Sequence, residues 1–182
     1  FAPFALPDDL VRIGREDLSV ANYSLHTLKI SEGIRQAIGC TGRLTLRAIE
    51  VLQGVSAVVV PRSRADRDSL ALRIARPHLL RRCEVLEAVL PMTEDRAVLE
   101  KAWDEAAVMM IAQAVGGRSV AFLTLGDAML YSTWSYVLKA LKRRLPDALV
   151  KTVPGITAMS ACAAVTGVPL AEGRAPLLVW PD

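Results

Sequence analysis

A tight turn between a buried apolar segment and a helix-like segment holds the first residues that could do chemistry. Val120 to Leu125 is almost continuously apolar, as in a strand buried on both faces, and Gly126 and Asp127 interrupt it. Glycine permits a sharp turn and close approach of a ligand to the main chain, and the carboxylate can balance a bound cation. From about Tyr131 the apolar residues follow helical spacing. The turn therefore lies at the carboxyl end of a buried strand, where open α/β sheets bind small molecules.

A second segment, V-P-G-I-T-A-M-S-A at 153–161, has the same order of a short strand, a Pro-Gly turn and a helix of small residues. Both turns also have an ordinary structural interpretation, in which Asp127 and Thr157 cap the helices that follow. For Thr157 capping and ligand binding are compatible. We expect Gly126-Asp127 and Pro154-Gly155 to lie at the same carboxyl edge of adjacent or nearly adjacent strands.

The two segments together resemble a known family. L-T-L-G-D-A-M-L-Y-S-T at 123–133, followed by V-P-G-I-T-A at 153–158, is similar to the tetrapyrrole (corrin and porphyrin) methyltransferases that use S-adenosylmethionine. The flanking segments L-T-L-R-A-I-E-V-L (44–52), S-L-A-L-R-I-A (69–75) and P-M-T-E-D-R (91–96) most resemble the branch that methylates precorrin-2 at C20. The resemblance covers residues 44 to 181.

The resemblance implies a set of site residues around the two turns. The residues expected to bind S-adenosylmethionine are Leu125, Gly126, Asp127, Leu130, Thr157 and Ala158. Tyr131, Ser132 and Thr133 could face cofactor or substrate, and Ser132 or Thr133 could equally be a helix N-cap. No catalytic residue is assigned, because the sulfonium is already activated and an electron-rich tetrapyrrole carbon is itself the nucleophile. The protein then mainly aligns the two and excludes water.

The implied function is methylation of precorrin-2, or its cobalt form, at C20 in cobalamin biosynthesis, by a cytoplasmic homodimer. Two alternatives stay open: a non-catalytic single-domain remnant, and a methylase of the same fold with another acceptor, including ribosomal RNA. Two departures bear on this. I-G-C-T-G-R at 38–43 replaces the family's Gly-x-Gly-Pro-Gly-Asp-Pro loop, and Ala128 replaces a proline, which predicts a less rigid turn.

The predicted fold class is α/β, with a mostly parallel sheet covered by helices on both faces, like the first domain of the resembled family. Residues 1–43 are unassigned, 44–170 form the domain, and 171–182 begin a linker to a second domain that the chain does not include. We therefore expect an apolar face around Leu177 to Trp180 and Met129, with self-association or binding of a partner. We also expect little or no methyl transfer by this chain unless the second domain is supplied. Predicted strands lie at about 56–60 (ending before Pro61), 84–90, 120–125 and 149–153, and predicted helices at 44–54, 69–75, 94–115 (capped by Thr93), 131–144 and from 156.

Composition excludes several other classes. A net charge of +3 and 5% aromatic residues in 182 residues give little basis for nucleic-acid binding. Three cysteines and two histidines at wide spacing predict no disulfide framework and no metal site, and no apolar run predicts a membrane span. His78 and Cys162 are interpreted as structural, with Cys162 buried. One group of arginines could meet a polyanionic substrate or simply form a solvated surface: Arg62, Arg64, Arg67, Arg73 and Arg76.

Overall fold

The computed structural model describes residues 44–63 and 69–179, in which helices alternate with strands. The helices are α1 (Leu46–Gly54), α2 (Leu70–Ala75), α3 (Arg96–Val115), α4 (Trp134–Arg144) and α5 (Ala158–Thr166), with a 3-10 turn at Arg76–His78. The strands are β1 (Ala57–Arg62), β2 (Glu84–Val89) and β3 (Val120–Phe122). The segments 1–43, 64–68 and 180–182, which include Cys40, Arg64, Arg67 and the 38–43 loop, lie outside the described residues.

The strands form a parallel sheet with the order β2-β1-β3. In the register, Ala57 lies opposite Glu84 of β2 and Val120 of β3. Parallel neighbours need crossover connections, and here α2 and α3 provide them. The carboxyl ends of β1 and β3 therefore lie at the same edge of the sheet.

Alternate side chains of β1 enter two separate cores. Val59 packs with the facing sides of α3 and α4, where Ala106, Ala107 and Val137 are buried. Val58 and Val60 point to the opposite face and pack against Leu52 of α1 and residues of α2. Helices thus cover both faces of a parallel sheet, and the predicted fold class is confirmed.

Pro61 does not end β1, contrary to the prediction; it pairs with Ala88 of β2. The hydrogen bonds of the strand explain why proline is tolerated. The Val59 carbonyl accepts from the Leu123 amide on the β3 side, and the Arg62 carbonyl accepts from the Leu90 amide on the β2 side. Because alternate residues face alternate neighbours, the missing N–H of Pro61 faces the β3 side, where β3 has already ended.

Two helices begin later than predicted. Asp95, not Thr93, caps α3, because its carboxylate accepts from the amides of Ala97 and Val98 at 2.9 and 3.3 Å. Helix α4 begins at Trp134 rather than near Tyr131, whose φ of +47° is incompatible with a helix.

The strand predicted at 149–153 is absent from the described sheet, and those residues form an extended connection without strand pairing. Leu149 is fully exposed, and Lys151 and Thr152 are exposed as well. Ala148 and Val150 on either side of Leu149 pack against the core formed by α3 and α4, so an apolar run that packs without strand pairing gave a false strand signal. Cys162 was also wrongly predicted to be buried: it is exposed on α5, a helix without buried side chains.

Val137 tests the core between the sheet and α4, because its side chain is fully buried there. We expect Val137→Ala to lower the free energy of unfolding by about 2 kcal/mol, from two lost buried carbons and the cavity they leave. Urea denaturation followed by circular dichroism measures the change.

Val115→Ala is the matched control, since Val115 is also helical but 78% exposed. Its unfolding free energy should stay within about 0.5 kcal/mol of the parent value. Equal losses in the two variants would contradict the described packing of α4.

Candidate functional site

The two predicted turns meet through the side chain of Asp127. Its Oδ2 accepts a hydrogen bond from the Gly155 amide at 2.8 Å, and its Oδ1 accepts one from the Met129 amide at 2.8 Å. The expected meeting of the turns at one edge is therefore seen. We also expected each turn to follow a strand. Only the first turn does so, because Pro154-Gly155 follows the connection at 149–153, which forms no strand.

The geometry of Gly126 explains how closely the turns approach. Its φ of +69° lies in the left-handed region, which glycine adopts without strain. A Cβ at this position would lie 3.7 Å from the Ile156 carbonyl oxygen and 3.8 Å from the Ala158 amide nitrogen. Gly126 is thus in van der Waals range of the main chain that precedes α5, and it is exposed to solvent.

The main-chain hydrogen bonds also control the charge of Asp127. The bond from the Gly155 amide, followed by that from Met129, holds the pKa of Asp127 below its usual value. Partial burial works in the opposite direction and is the smaller effect. The carboxylate is therefore ionised at neutral pH, and it supplies negative charge beside an exposed glycine turn.

Thr157 occupies the N-cap position of α5. Its Oγ1 accepts from the Ser160 amide at 3.1 Å and donates to the Ser160 Oγ at 2.8 Å. Thr157 therefore caps α5, which is the structural role considered for it in the sequence. Ala158 follows as the first residue of α5 and is exposed, and its amide nitrogen is the atom that approaches Gly126.

A cleft of about 450 Å³ lies beside the first turn, at the carboxyl ends of β1 and β3. The residues that line it are Pro61, Arg62, Ser63, Ser69, Leu70, Ala71, Thr124, Leu125, Tyr131, Ser132 and Thr133. Of the predicted site residues, this cleft brings together Leu125 with Tyr131, Ser132 and Thr133. The other predicted site residues, Gly126, Asp127, Leu130, Thr157 and Ala158, are not among those that line it.

Ser132 organises the floor of the cleft, and it is buried. Its Oγ accepts from the Trp134 amide at 3.2 Å and lies 2.9 Å from the Thr124 Oγ1. Thr133 holds the N-cap position of α4, but its side chain makes no capping hydrogen bond. Between the two N-cap candidates, Ser132 therefore supplies the capping hydroxyl. The Trp134 ring stacks on Phe122 of β3, with centroids 5.4 Å apart, and fixes the start of α4 on the sheet.

Tyr131 differs from its neighbours in being 65% exposed with a positive φ. Its hydroxyl donates to the Val179 carbonyl at 3.2 Å. This bond ties the wall of the cleft to residues 177–179. The side chains of Leu177, Leu178 and Met129 are more than half exposed, as the expected apolar face requires, while Trp180 lies outside the described residues.

Of the arginines considered as anion ligands, Arg62 lines the cleft and forms an ion pair with Glu87. Its side chain is only 14% exposed, so the guanidinium is fixed in place. Arg73 and Arg76 are exposed. The sequence pattern did not distinguish Arg62 from the other arginines, because only the fold shows that β1 ends at the cleft.

Within residues 44–63 and 69–179, no three His, Cys, Asp or Glu side chains come together as a metal site would require. His78 is half-buried, and its Nε2 makes no hydrogen bond among the described residues. No helix in this part of the chain is long and apolar enough to cross a bilayer.

Solved structures of similar shape place the fold. The chain aligns with the cobalt precorrin-4 methyltransferase CbiF at a TM-score of 0.55 and 22% identity, over 78% of this chain and 57% of that one. It aligns with the methyltransferase CobJ at a TM-score of 0.51 and 20% identity, over 71% and 47% of the two chains. The fold is thus that of an α/β domain shared with these two methyltransferases.

The family follows from the sequence comparison. The chain belongs to the tetrapyrrole (corrin/porphyrin) methylases, whose family model matches residues 37–182. A relative named cobalt-precorrin-2 C(20)-methyltransferase, from Salmonella typhimurium, is 39% identical over 141 residues, 78% of this chain and 58% of the relative. One from Methanocaldococcus jannaschii, named a probable enzyme of the same kind, is 36% identical over 150 residues, 82% of this chain and 63% of the relative. The chain thus spans about three fifths of the length of these curated relatives.

The hydroxyl of Ser132 gives a test of the cleft floor. Ser132→Ala removes the acceptor for the Trp134 amide and the partner of Thr124, so the free energy of unfolding should fall by about 1–2 kcal/mol. Thermal unfolding followed by circular dichroism would detect the change.

Thr133→Ala is the matched control, because Thr133 is adjacent and exposed and caps nothing with its side chain. Little change is expected in this variant. A larger loss from Thr133→Ala than from Ser132→Ala would show that the capping hydroxyl has been misidentified.

Proposed function

We propose that this chain acts in S-adenosylmethionine-dependent methylation of precorrin-2 or cobalt-precorrin-2 at C20, in cobalamin biosynthesis. The observation that carries the proposal is the junction of two exposed turns through Asp127, beside a cleft at the carboxyl edge of the sheet. Membership of the tetrapyrrole methylases and the names of the two relatives support the reaction and the acceptor.

The residues at the junction fit the cofactor. S-adenosylmethionine supplies an activated methyl group and carries positive charge on its sulfonium and α-ammonium groups. Gly126 exposes main chain without a side chain in the way, and the carboxylate of Asp127 holds the second turn beside it. Leu125 and Leu130 offer exposed apolar surface on the same turn, and Ala158 adds a small residue opposite.

The cleft fits an acceptor that carries carboxylates. A tetrapyrrole of the precorrin type has a broad apolar ring system and acidic side chains. Arg62, held by its ion pair with Glu87, places positive charge at the cleft that attracts a carboxylate, and the hydroxyls of Ser63, Ser69 and Tyr131 line the same cleft. Leu125 lines the cleft and also precedes the cofactor turn, so a ring in the cleft would lie next to the transferred methyl group.

We also propose a cytoplasmic homodimer. The odd number of cysteines at wide spacing suits a reducing compartment. The exposed apolar side chains at Met129, Leu177 and Leu178 favour association, since contiguous exposed apolar surface marks contact sites.

Binding and transfer test the function directly. Calorimetric titration of this chain with S-adenosylmethionine should show saturable binding that S-adenosylhomocysteine displaces. With isotopically labelled donor and a second domain supplied, label should then appear in precorrin-2 or cobalt-precorrin-2, and mass spectrometry with NMR should place the methyl at C20. Saturable binding with transfer to a different tetrapyrrole carbon or to RNA would identify another acceptor. Absence of binding to either nucleoside would contradict the proposal.

Arg62 provides a test specific to the acceptor. Arg62→Gln should weaken binding of the tetrapyrrole by about 1.5–3 kcal/mol, the usual scale for a charge-assisted hydrogen bond, and leave the affinity for S-adenosylmethionine unchanged. Fluorescence quenching by the tetrapyrrole and calorimetry with the cofactor measure the two affinities.

Arg73→Gln is the control, since Arg73 is exposed on α2 and does not line the cleft. An equal loss of tetrapyrrole affinity in both variants would point to a general effect of net charge rather than to a site at the cleft.

A further inference from the structure

We propose that Asp127 and Gly155 form a backbone clamp that fixes the distance between the two turns of the cofactor site. In this proposal, which rests on the proposed function, Asp127 is a positioning residue and not a direct ligand of the cofactor's positive charge. Gly155 is then a second positioning residue, whose lack of a side chain makes the clamp possible.

The hydrogen bonds of the carboxylate favour positioning. Its two oxygens each accept a main-chain amide at 2.8 Å, from Met129 on its own turn and from Gly155 on the other. Rotating the carboxylate toward a ligand would break one of these bonds or both. Each bond joins an ionised acceptor to an N–H donor, which is the stronger class of hydrogen bond.

Gly155 fits only because it is glycine. A Cβ built at position 155 would overlap the carbonyl oxygen of Gly126 and would lie 3.3 Å from the Cα of Asp127. Backbone atoms cannot yield as the end of a flexible side chain can. Any larger residue at 155 must therefore push the second turn away from the first and lengthen the bond between Gly155 and Asp127.

Few other contacts hold the second turn. Residues 149–153 pair with no strand of the described sheet, so the sheet does not position Pro154 and Gly155. Among the described residues, the other hydrogen bond to residues 153–156 runs from the Thr45 hydroxyl to the Pro154 carbonyl, and it is exposed and 3.5 Å long. The clamp is thus the shorter and stronger of the ties that place Ile156 and Ala158 beside Gly126.

Two variants break the clamp in different ways. Asp127→Asn keeps the size of the side chain but replaces one acceptor oxygen with an NH₂ group, which cannot accept from either amide. Gly155→Ala keeps the carboxylate and its charge but forces the turns apart. Gly54→Ala is the matched control, because a Cβ at Gly54 would meet nothing within 4 Å.

Affinities for S-adenosylmethionine and S-adenosylhomocysteine distinguish the roles, because the second nucleoside lacks the sulfonium charge. The clamp predicts that both breaking variants lose about tenfold or more in affinity. It also predicts that the loss is the same for the two nucleosides, and that Gly54→Ala binds like the parent chain. A loss in Asp127→Asn that is larger for S-adenosylmethionine would overturn the proposal in favour of direct charge contact. So would an unchanged affinity in Gly155→Ala.

Amide hydrogen exchange at Gly155 and Met129 provides a readout without cofactor. Both amides should be protected in the parent chain and should exchange faster in Asp127→Asn. Equal exchange rates in the two chains would overturn the clamp even if the variant bound the nucleosides weakly. If the parent chain binds neither nucleoside, the proposed function fails, while the exchange rates still decide whether the clamp exists. If Gly155→Ala does not fold, the nucleoside ratio and the exchange rates of Asp127→Asn decide alone.

Discussion

The burial of β1 on both faces is the constraint on which the rest of this structure depends. Ala57, Val58, Val59 and Val60 are fully buried. Strands flank them on both sides, and helices cover both faces. A strand in this position cannot carry polar groups, so its chemistry is confined to its ends. Where β1 ends, Arg62 is the first charged side chain, and it enters the cleft.

The amino-terminal end of the sheet shows the opposite use of polar residues. There Arg118 forms an ion pair with Glu84 and donates to the Ser56 carbonyl at 3.0 Å. The Ser119 hydroxyl donates to the Gly54 carbonyl at 3.2 Å. At this end of the sheet, polar side chains and main-chain carbonyls are thus paired with one another. At the carboxyl end, by contrast, exposed turns and a cleft leave main chain and side chains open to a ligand. The direction of the strands therefore decides which edge can bind, as the rule for open parallel sheets requires.

The sequence predicted most of this fold because its signals were local and consistent. Runs such as A-V-V-V, and the helical segment L-A-L-R-I-A, specify an element by themselves. The errors arose where tertiary context decides. Pro61 is compatible with a strand only because β3 is short, and the apolar run around Leu149 has no partner strand in the described sheet. Neither fact can be derived from the neighbouring residues alone.

The candidate site was predictable to the same degree. Glycine and aspartate after a buried strand indicated the first turn, and Pro-Gly indicated the second. No local pattern could show that a carboxylate at 127 would bind an amide 28 positions later, which depends on how α4 and the connection after it return the chain to the sheet. For the same reason, the sequence could not distinguish Arg62 from the neighbouring arginines, since only the fold shows that β1 ends at the cleft.

The alanine at position 128, where the resemblance leads us to expect a proline, can be understood from the same carboxylate. A proline there would restrict the backbone between Asp127 and Met129, and its absence predicts a looser turn. In this chain the Oδ1 of Asp127 spans residue 128 and accepts from the Met129 amide, which restrains the turn by a hydrogen bond. Ala128 packs against the core formed by α3 and α4, so its small side chain adds apolar contact. The turn thus depends on the ionised state of Asp127 for an ordering that a proline ring would otherwise contribute covalently. Asp127 shapes its own turn through Met129 and binds the neighbouring turn through Gly155. The conformation of the first turn is therefore coupled to the spacing between the two turns.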